Sequence, residues 1–271
     1  MGHGIAHAAM MAGCDTVLYD VAPAAVEKGR RAIGGILEEG IVRGNVTRAD
    51  AAAATARLTT TSLAGALSGS RFIIEAAPEQ IGLKLALLAD IEKLAPADAV
   101  IASNTSSLSV TEMAAALSNP RRLAGMHFFN PVHKMKLVEV VRALESSDET
   151  LQTVEAVARQ MGKETVIVRD SAGFVTSRVN AMIGNEAFYM LQEGVASARD
   201  IDKALKLGLN HPMGPFELVD LVGLDTRLSV LEFLHKSLGE KYRPCPLLVQ
   251  HVRAGRLGKK VGRGVYDYPA V

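Results

Sequence analysis

Cysteine is scarce in this sequence: Cys14 and Cys245 are the only two, and they lie far apart in the chain. That spacing excludes a disulfide framework and fits a reducing cytoplasm. No metal-ligand cluster accompanies either cysteine, so no metal is expected. No uninterrupted apolar run approaches the roughly 20 residues that cross a bilayer, and the first residues are not a basic segment followed by an apolar core. Neither a transmembrane helix nor a secretory signal is therefore expected. Charge of one sign is not in excess either. The formal net charge is +1, with both signs dispersed, which argues against nucleic acid or an acidic membrane surface as a partner. Repeats, low-complexity tracts and long linkers are missing too. What the chain does have is 271 residues, 48% of them hydrophobic, enough for one large or two ordinary domains of a soluble cytoplasmic protein.

The stretch Gly125 to Arg142 carries the densest information. Apolar runs at 123–128 and 137–141 read as two strands, and Asn130 and Pro131 make their connection non-helical. Laid side by side, these strands let His127 and Glu139 face one another. A carboxylate bonded to one imidazole nitrogen fixes the tautomer and leaves the other nitrogen to take a proton, which is how a histidine base is usually built. A core histidine satisfied by a polar neighbour is equally compatible with these two residues alone.

The N-terminus, Met1-Gly2-His3-Gly4-Ile5-Ala6-His7, reads as the first turn of a helix ending at Gly13, followed by a strand at 16–19 closed by Asp20. This is the second half of a dinucleotide-binding fingerprint, in which glycines let the backbone approach a pyrophosphate and an acid holds ribose hydroxyls. Gly2 stands as its last glycine and Asp20 as its acid. The preceding strand and first two glycines are not in the sequence. Burying roughly four or five large apolar side chains there would contribute on the order of 10 kcal/mol, against a whole-domain stability of about 5 to 15 kcal/mol. The working protein is therefore expected to carry about a dozen further residues upstream. His3 and His7 have a spacing that suits a metal, but no third ligand is in view.

Residues 23–57 read as two helices around Gly44-Asn45-Val46-Thr47, carrying Lys28, Arg30, Arg31 and Arg43. A strand at 71–76 ends in Ala77-Pro78-Glu79, and the next helix places Ile81, Leu85, Leu88, Ile91 and Ala95 at near-helical spacing. A strand at 99–102 runs into Ser103-Asn104-Thr105-Ser106-Ser107, with a helix from about Val110. The strand at 123–128, a helix at 150–161 and a strand at 165–168 continue the alternation. This pattern predicts a doubly wound, Rossmann-like, mainly parallel α/β sheet with ligands at the carboxyl edge of its strands, where Glu79, Lys84 and Ser103 to Ser107 fall. Beyond Asp170 to Gly173 only helices follow, at 174–192, 199–209 and from Phe216 on. The expected division is a dinucleotide-binding domain at 1–170, with 23–57 as a helical insertion, and an all-α domain at 171–271.

The run His127 to Val132 and Met135 to Val141, with Ser103-Asn104-Thr105-Ser106-Ser107-Leu108, Gly173-Phe174-Val175, Asn210 to Pro215 through Asp225-Thr226, and Gly258-Lys259-Lys260 through Tyr268, resembles the 3-hydroxyacyl-CoA dehydrogenases, especially the short 3-hydroxybutyryl-CoA type. The matches keep the family's order and span nearly the whole chain. The resemblance implies NAD as cofactor, an acyl-CoA substrate and a homodimer formed through the C-terminal domain. It implies His127 as general base oriented by Glu139, Ser106 and Asn130 on the substrate oxygens, and Gly2, Asp20, Glu79, Lys84, Asn104, Ser106, Asn130 and Lys260 near the cofactor. Ser177 stands where many members have asparagine; its hydroxyl can still donate one hydrogen bond to substrate but reaches less far and cannot make two. The basic residues of 23–57 fall, by the same resemblance, near the CoA nucleotide. Two other readings compete. A free β-hydroxyacid dehydrogenase would need a lysine base on its interdomain helix, and none occurs between Lys163 and Lys203. A non-enzymatic relative would keep the dimeric fold without binding cofactor.

Overall fold

The computed structural model describes residues 1–269. The chain divides into two units, Met1–Asp170 and Ser171–Val271. In the first, the order is α1 (Gly2–Met11), β1 (Thr16–Tyr19), α2 (Pro23–Val42), α3 (Arg48–Thr55), β2 (Leu58–Thr61), β3 (Phe72–Glu75), α4 (Ile81–Leu94), β4 (Val100–Ser103), α5 (Val110–Ala115), β5 (Leu123–Phe128), β6 (Leu137–Arg142), α6 (Asp148–Gln160) and β7 (Glu164–Arg169). Helix starts follow local chemistry. Pro23 opens α2, where its missing N–H costs nothing, and the hydroxyls of Thr47, Ser109 and Ser147 accept the N–H three residues on at the starts of α3, α5 and α6.

The strands form two sheets. β1 and β2 pair in parallel, and β3-β4-β5-β6-β7 form a second, five-stranded sheet. Within it β3, β4 and β5 are parallel, β6 runs antiparallel to β5, and β7 is parallel to β6. β5 is buried at all six positions, as expected of a central strand covered on both faces. Its Gly125 is needed for packing, because a Cβ there would lie 2.6 Å from Cβ of Val141 on the partner strand. β2 escaped the sequence reading. Leu58-Thr59-Thr60-Thr61 has one large apolar side chain, and only pairing with Thr16 to Tyr19 makes it a strand.

The second unit contains α7 (Thr176–Gln192), α8 (Ala198–Gly208), α9 (Pro215–Val222), α10 (Leu224–Leu238) and α11 (Pro246–Arg253). The helix expected from Phe216 onward is two helices, broken at Gly223, whose φ of 107° lies outside the helical region and favours glycine. Phe216, Val219, Leu224, Leu231 and Leu234 join Ala181 and Phe188 in one core, while Leu221 and Val222 point outward. Among the described residues, no helix is long and apolar enough to cross a membrane.

Candidate active site

In an antiparallel pair, directly opposed residues share a face. The register of β5 and β6 sets His127 opposite Glu139, and His127 Nδ1 lies 2.8 Å from Glu139 Oε2. Glu139 is fully buried and His127 nearly so, so each needs the other as a polar partner. The Phe129 ring sits 4.7 Å from the imidazole, centroid to centroid. Asn130 follows in the exposed loop.

A second group forms where β3 and β4 end. Asn104 Oδ1 accepts the N–H of Phe128 at 2.9 Å, tying the loop after β4 to the end of β5. Glu79 Oε1 accepts Thr105 Oγ1 at 2.7 Å, the N–H groups of Ser106 and Ser107 at 2.8 and 3.0 Å, and the hydroxyl of Ser107 at 3.1 Å. Burial opposes its ionisation, but these bonds and the nearby Lys84 ammonium prevail and hold its carboxyl below the usual range. Glu79 is thus the anchor of the loop bearing Ser106, not simply a charge at a helix start. With the Ser106 hydroxyl at 3.3 Å, five donors converge on this one carboxylate oxygen and fix the loop.

Lys84 also departs from the sequence expectation. It was expected at the strand edge, reaching a cofactor, but it is fully buried. Its ammonium donates to Glu75 Oε1 and Oε2 at 2.7 and 2.9 Å and to the Ala77 carbonyl at 3.1 Å. Ser103 Oγ adds a 2.5 Å bond to Glu75, and Lys84 Nζ lies 3.7 Å from Glu79 Oε2. The physical reason is Glu75: a carboxylate buried in β3 requires a cation, and the first inward turn of α4 supplies it. Glu75 is not among the residues expected at the site, and Ser103, Thr105 and Ser107 are expected there only as part of the segment at the strand edge, without a role. An acid closing the apolar strand Phe-Ile-Ile-Glu was the signal that a buried partner must exist.

The residues expected around a dinucleotide fit an anion at one end and a diol at the other. α1 begins at Gly2 without a side-chain cap, and a helix start is a place that attracts phosphate. A Cβ on Gly2 would meet only Ala76 at 3.9 Å. Asp20 is exposed just past β1, with Oδ1 accepting the N–H of Ala22 at 2.9 Å. In the helical unit, Lys260 pairs with Asp225 at 2.6 Å, and Ser177 is half-buried in the first turn of α7. Of the cations on α2, Arg30 and Arg31 pair with Glu27 and Arg43 with Glu39, whereas Lys28 is exposed.

Among the described residues no group of three or more His, Cys, Asp or Glu is arranged to hold an ion, so no third ligand joins His3 and His7 there. His7 is buried with neither ring nitrogen hydrogen-bonded. Burial, then the charges of His133, Lys163 and His3, push its pKa down from 6.5 to about 4. The unfolded chain therefore binds the extra proton first, and stability falls as pH drops from 6.5 towards 4, by up to about 3 kcal/mol. Urea midpoints measured from pH 7 to pH 4 should decline less steeply for His7→Met than for the parent; parallel slopes would mean that His7 is not the group responsible.

Comparison with known proteins follows the same division. The family model described as 3-hydroxyacyl-CoA dehydrogenase, NAD binding domain matches residues 1–171, and the C-terminal domain model of the same family matches 173–268. A probable 3-hydroxybutyryl-CoA dehydrogenase of Bacillus subtilis is 46% identical over 99% of this chain and 94% of its own length. A 3-hydroxybutyryl-CoA dehydrogenase of Bradyrhizobium diazoefficiens is 41% identical over 99% and 92%. The crystal structure of (S)-3-hydroxybutyryl-CoA dehydrogenase from Ralstonia eutropha superposes with a TM-score of 0.97, at 45% identity, covering 100% of this chain and 96% of that one.

Proposed function

The chain belongs to the 3-hydroxyacyl-CoA dehydrogenase family, and from that premise we propose that it interconverts 3-hydroxybutyryl-CoA and acetoacetyl-CoA with NAD. The observation that carries the proposal is the in-register pair of His127 and Glu139 at 2.8 Å. With Nδ1 committed to the carboxylate, Nε2 is the nitrogen that takes the proton of the substrate's 3-hydroxyl. Glu139 keeps that tautomer and offsets the positive charge that forms on the ring. NAD, when bound, supplies the acceptor for the hydride leaving the same carbon. Ser106, held by Glu79, and Asn130 orient the substrate oxygens, and a displacement of about 1 Å there can cost roughly a hundredfold in rate.

The first unit is assigned to cofactor binding. The start of α1 at Gly2 faces the pyrophosphate, and Asp20 holds the ribose hydroxyls, repelling a ribose phosphate and so favouring NAD over NADP. Asn104, Ser106 and Asn130 complete the cofactor surroundings within the first unit, with Glu79 and Lys84 acting from behind the loop. The second unit is assigned to substrate contact, through Ser177, and to homodimer formation. Val175 and Val179 on or beside α7, and Leu221 and Val222 on α9, are 42% to 53% exposed, an apolar surface suited to a second copy. The two free cysteines suit a cytoplasmic setting.

Purified protein should oxidise NADH only when acetoacetyl-CoA is present, with little turnover of NADPH. Absence of both NADH binding and turnover would favour the non-enzymatic reading instead.

A further inference from the structure

Among the described residues, four Lys or Arg side chains are buried: Lys84, Arg122, Lys163 and Arg227. A buried cation needs polar partners, and the four meet that need differently. Lys84 reaches Glu75 and Arg122 reaches Glu92, while the Nε of Arg227 has no acceptor. The Lys163 ammonium instead donates to two backbone carbonyls, those of Val132 at 2.5 Å and Met135 at 2.8 Å. Both carbonyls belong to the connection from β5 to β6, the loop that bears Asn130.

The backbone of this lysine is fixed independently of the loop. After α6, Gly162 takes a φ of 70°, a left-handed position suited to glycine. The Gly162 N–H bonds to the Arg159 carbonyl at 2.9 Å and the Lys163 N–H to the Ala158 carbonyl at 3.0 Å, the pairing that closes a helix end. One residue on, the Glu164 N–H bonds to the Lys136 carbonyl at 2.8 Å, where β7 starts. Lys163 is thus held between a helix terminus and a strand start. The loop it reaches is one tight turn, in which Lys134 and Met135 both direct their N–H groups to the Pro131 carbonyl, at 3.0 and 3.1 Å. Val132 is buried, its Cγ2 3.1 Å from where a Cβ on Gly4 would stand. Asn130 is exposed just before this turn, and the Pro131 ring restricts the φ that joins them. Where the turn sits therefore decides where the Asn130 amide sits.

We propose that Lys163 is a positioning residue, whose ammonium grips the turn at 131–135 and so places the Asn130 side chain for the substrate oxygen. The proposal rests on the dehydrogenase reading for its kinetic half, but its structural half is read without turnover. Lys163→Met keeps an apolar stem of similar volume and removes the donors. By hydrogen exchange, the amides of Lys134 and Met135 should exchange about tenfold faster than in the parent, with those of β5 and β6 unchanged. For acetoacetyl-CoA reduction, kcat should fall about 10- to 100-fold without a shift in its pH profile. Lys163→Arg, which keeps the charge and the donors, should recover part of that loss. Because the effect runs through Asn130, the double variant Asn130→Ala/Lys163→Met should be within about threefold of Asn130→Ala alone. Losses that multiply in the double variant, a shifted pH profile, or loop amides that exchange as in the parent would each overturn the proposal. So would faster exchange spread evenly over the first unit, the mark of a general structural role. Should circular dichroism show that Lys163→Met does not fold, Lys163→Gln, a shorter donor, is put through the same measurements with the same criteria. Failure of the dehydrogenase reading shows separately, as a parent without acetoacetyl-CoA-dependent NADH oxidation, and hydrogen exchange then decides.

Discussion

Replacing His127 with alanine is expected to lower kcat by about 10² to 10⁴, with NADH affinity unchanged. The imidazole is nearly buried, its Nδ1 bonded to a fully buried carboxylate on the facing strand. No other histidine of the first unit is so placed: His3, His7 and His133 group around α1 and the loop after β5, and burial lowers the pKa of each. The cofactor contacts assigned to Gly2 and Asp20 do not involve His127, so a fluorescence titration with NADH should give the parent dissociation constant. Glu139→Gln is the companion experiment. It preserves shape and one hydrogen bond but removes the charge that offsets the imidazolium, and should lose turnover without losing cofactor. A His127→Ala enzyme within a few-fold of parental kcat would place the base elsewhere.

Lys84→Met is expected to destabilise the first unit by about 3 to 5 kcal/mol. Removing the ammonium leaves Glu75 as an uncompensated carboxylate inside the protein, with only Ser103 Oγ and the Ala77 N–H to satisfy it. Against a typical domain stability of about 5 to 15 kcal/mol, that loss is large enough to shift a urea midpoint decisively. The double variant Glu75→Gln/Lys84→Met should recover much of the loss, because the penalty comes from the orphaned charge rather than from the missing contact. A single variant as stable as the parent would mean that water or rearrangement already satisfies Glu75. Activity is a separate readout. Lys84 lies 3.7 Å from Glu79, which anchors the Ser106 loop, so kcat of any folded variant should fall further than cofactor affinity.

Much of the site could be read directly from residue order. His127 and Glu139 lie on strands joined by a short loop, so once both apolar runs are strands, few registers remain and one sets the two side chains face to face. Ser106 and Asn104 follow β4 immediately, and the carboxyl edge of a parallel sheet is where such residues collect. Glu79 and Lys84 were harder. Their positions on the β3–α4 connection were clear, but a charged residue after a strand looks the same whether it faces solvent or turns inward. The deciding partners are Thr105 and Ser107 for Glu79, and Glu75 for Lys84, and only packing of β3 against β4 brings these groups together. Arg227 carries no signal in the sequence, because a single arginine in a helix is ordinarily a solvated one.

The sequence by itself determined the alternation of strands and helices through residue 170, the change to helices beyond it, and the apolar strand that ends at His127. These are consequences of local periodicity and turn chemistry, carried by neighbours in the chain. Tertiary structure alone decided that Leu58 to Thr61 is a strand, that the sheet divides between β1-β2 and β3 to β7, that Gly223 separates two helices, and that Lys84 is paired while Arg227 is not. Those outcomes depend on residues distant in sequence, because the free energy of a strand edge or a charge is set by what is packed against it.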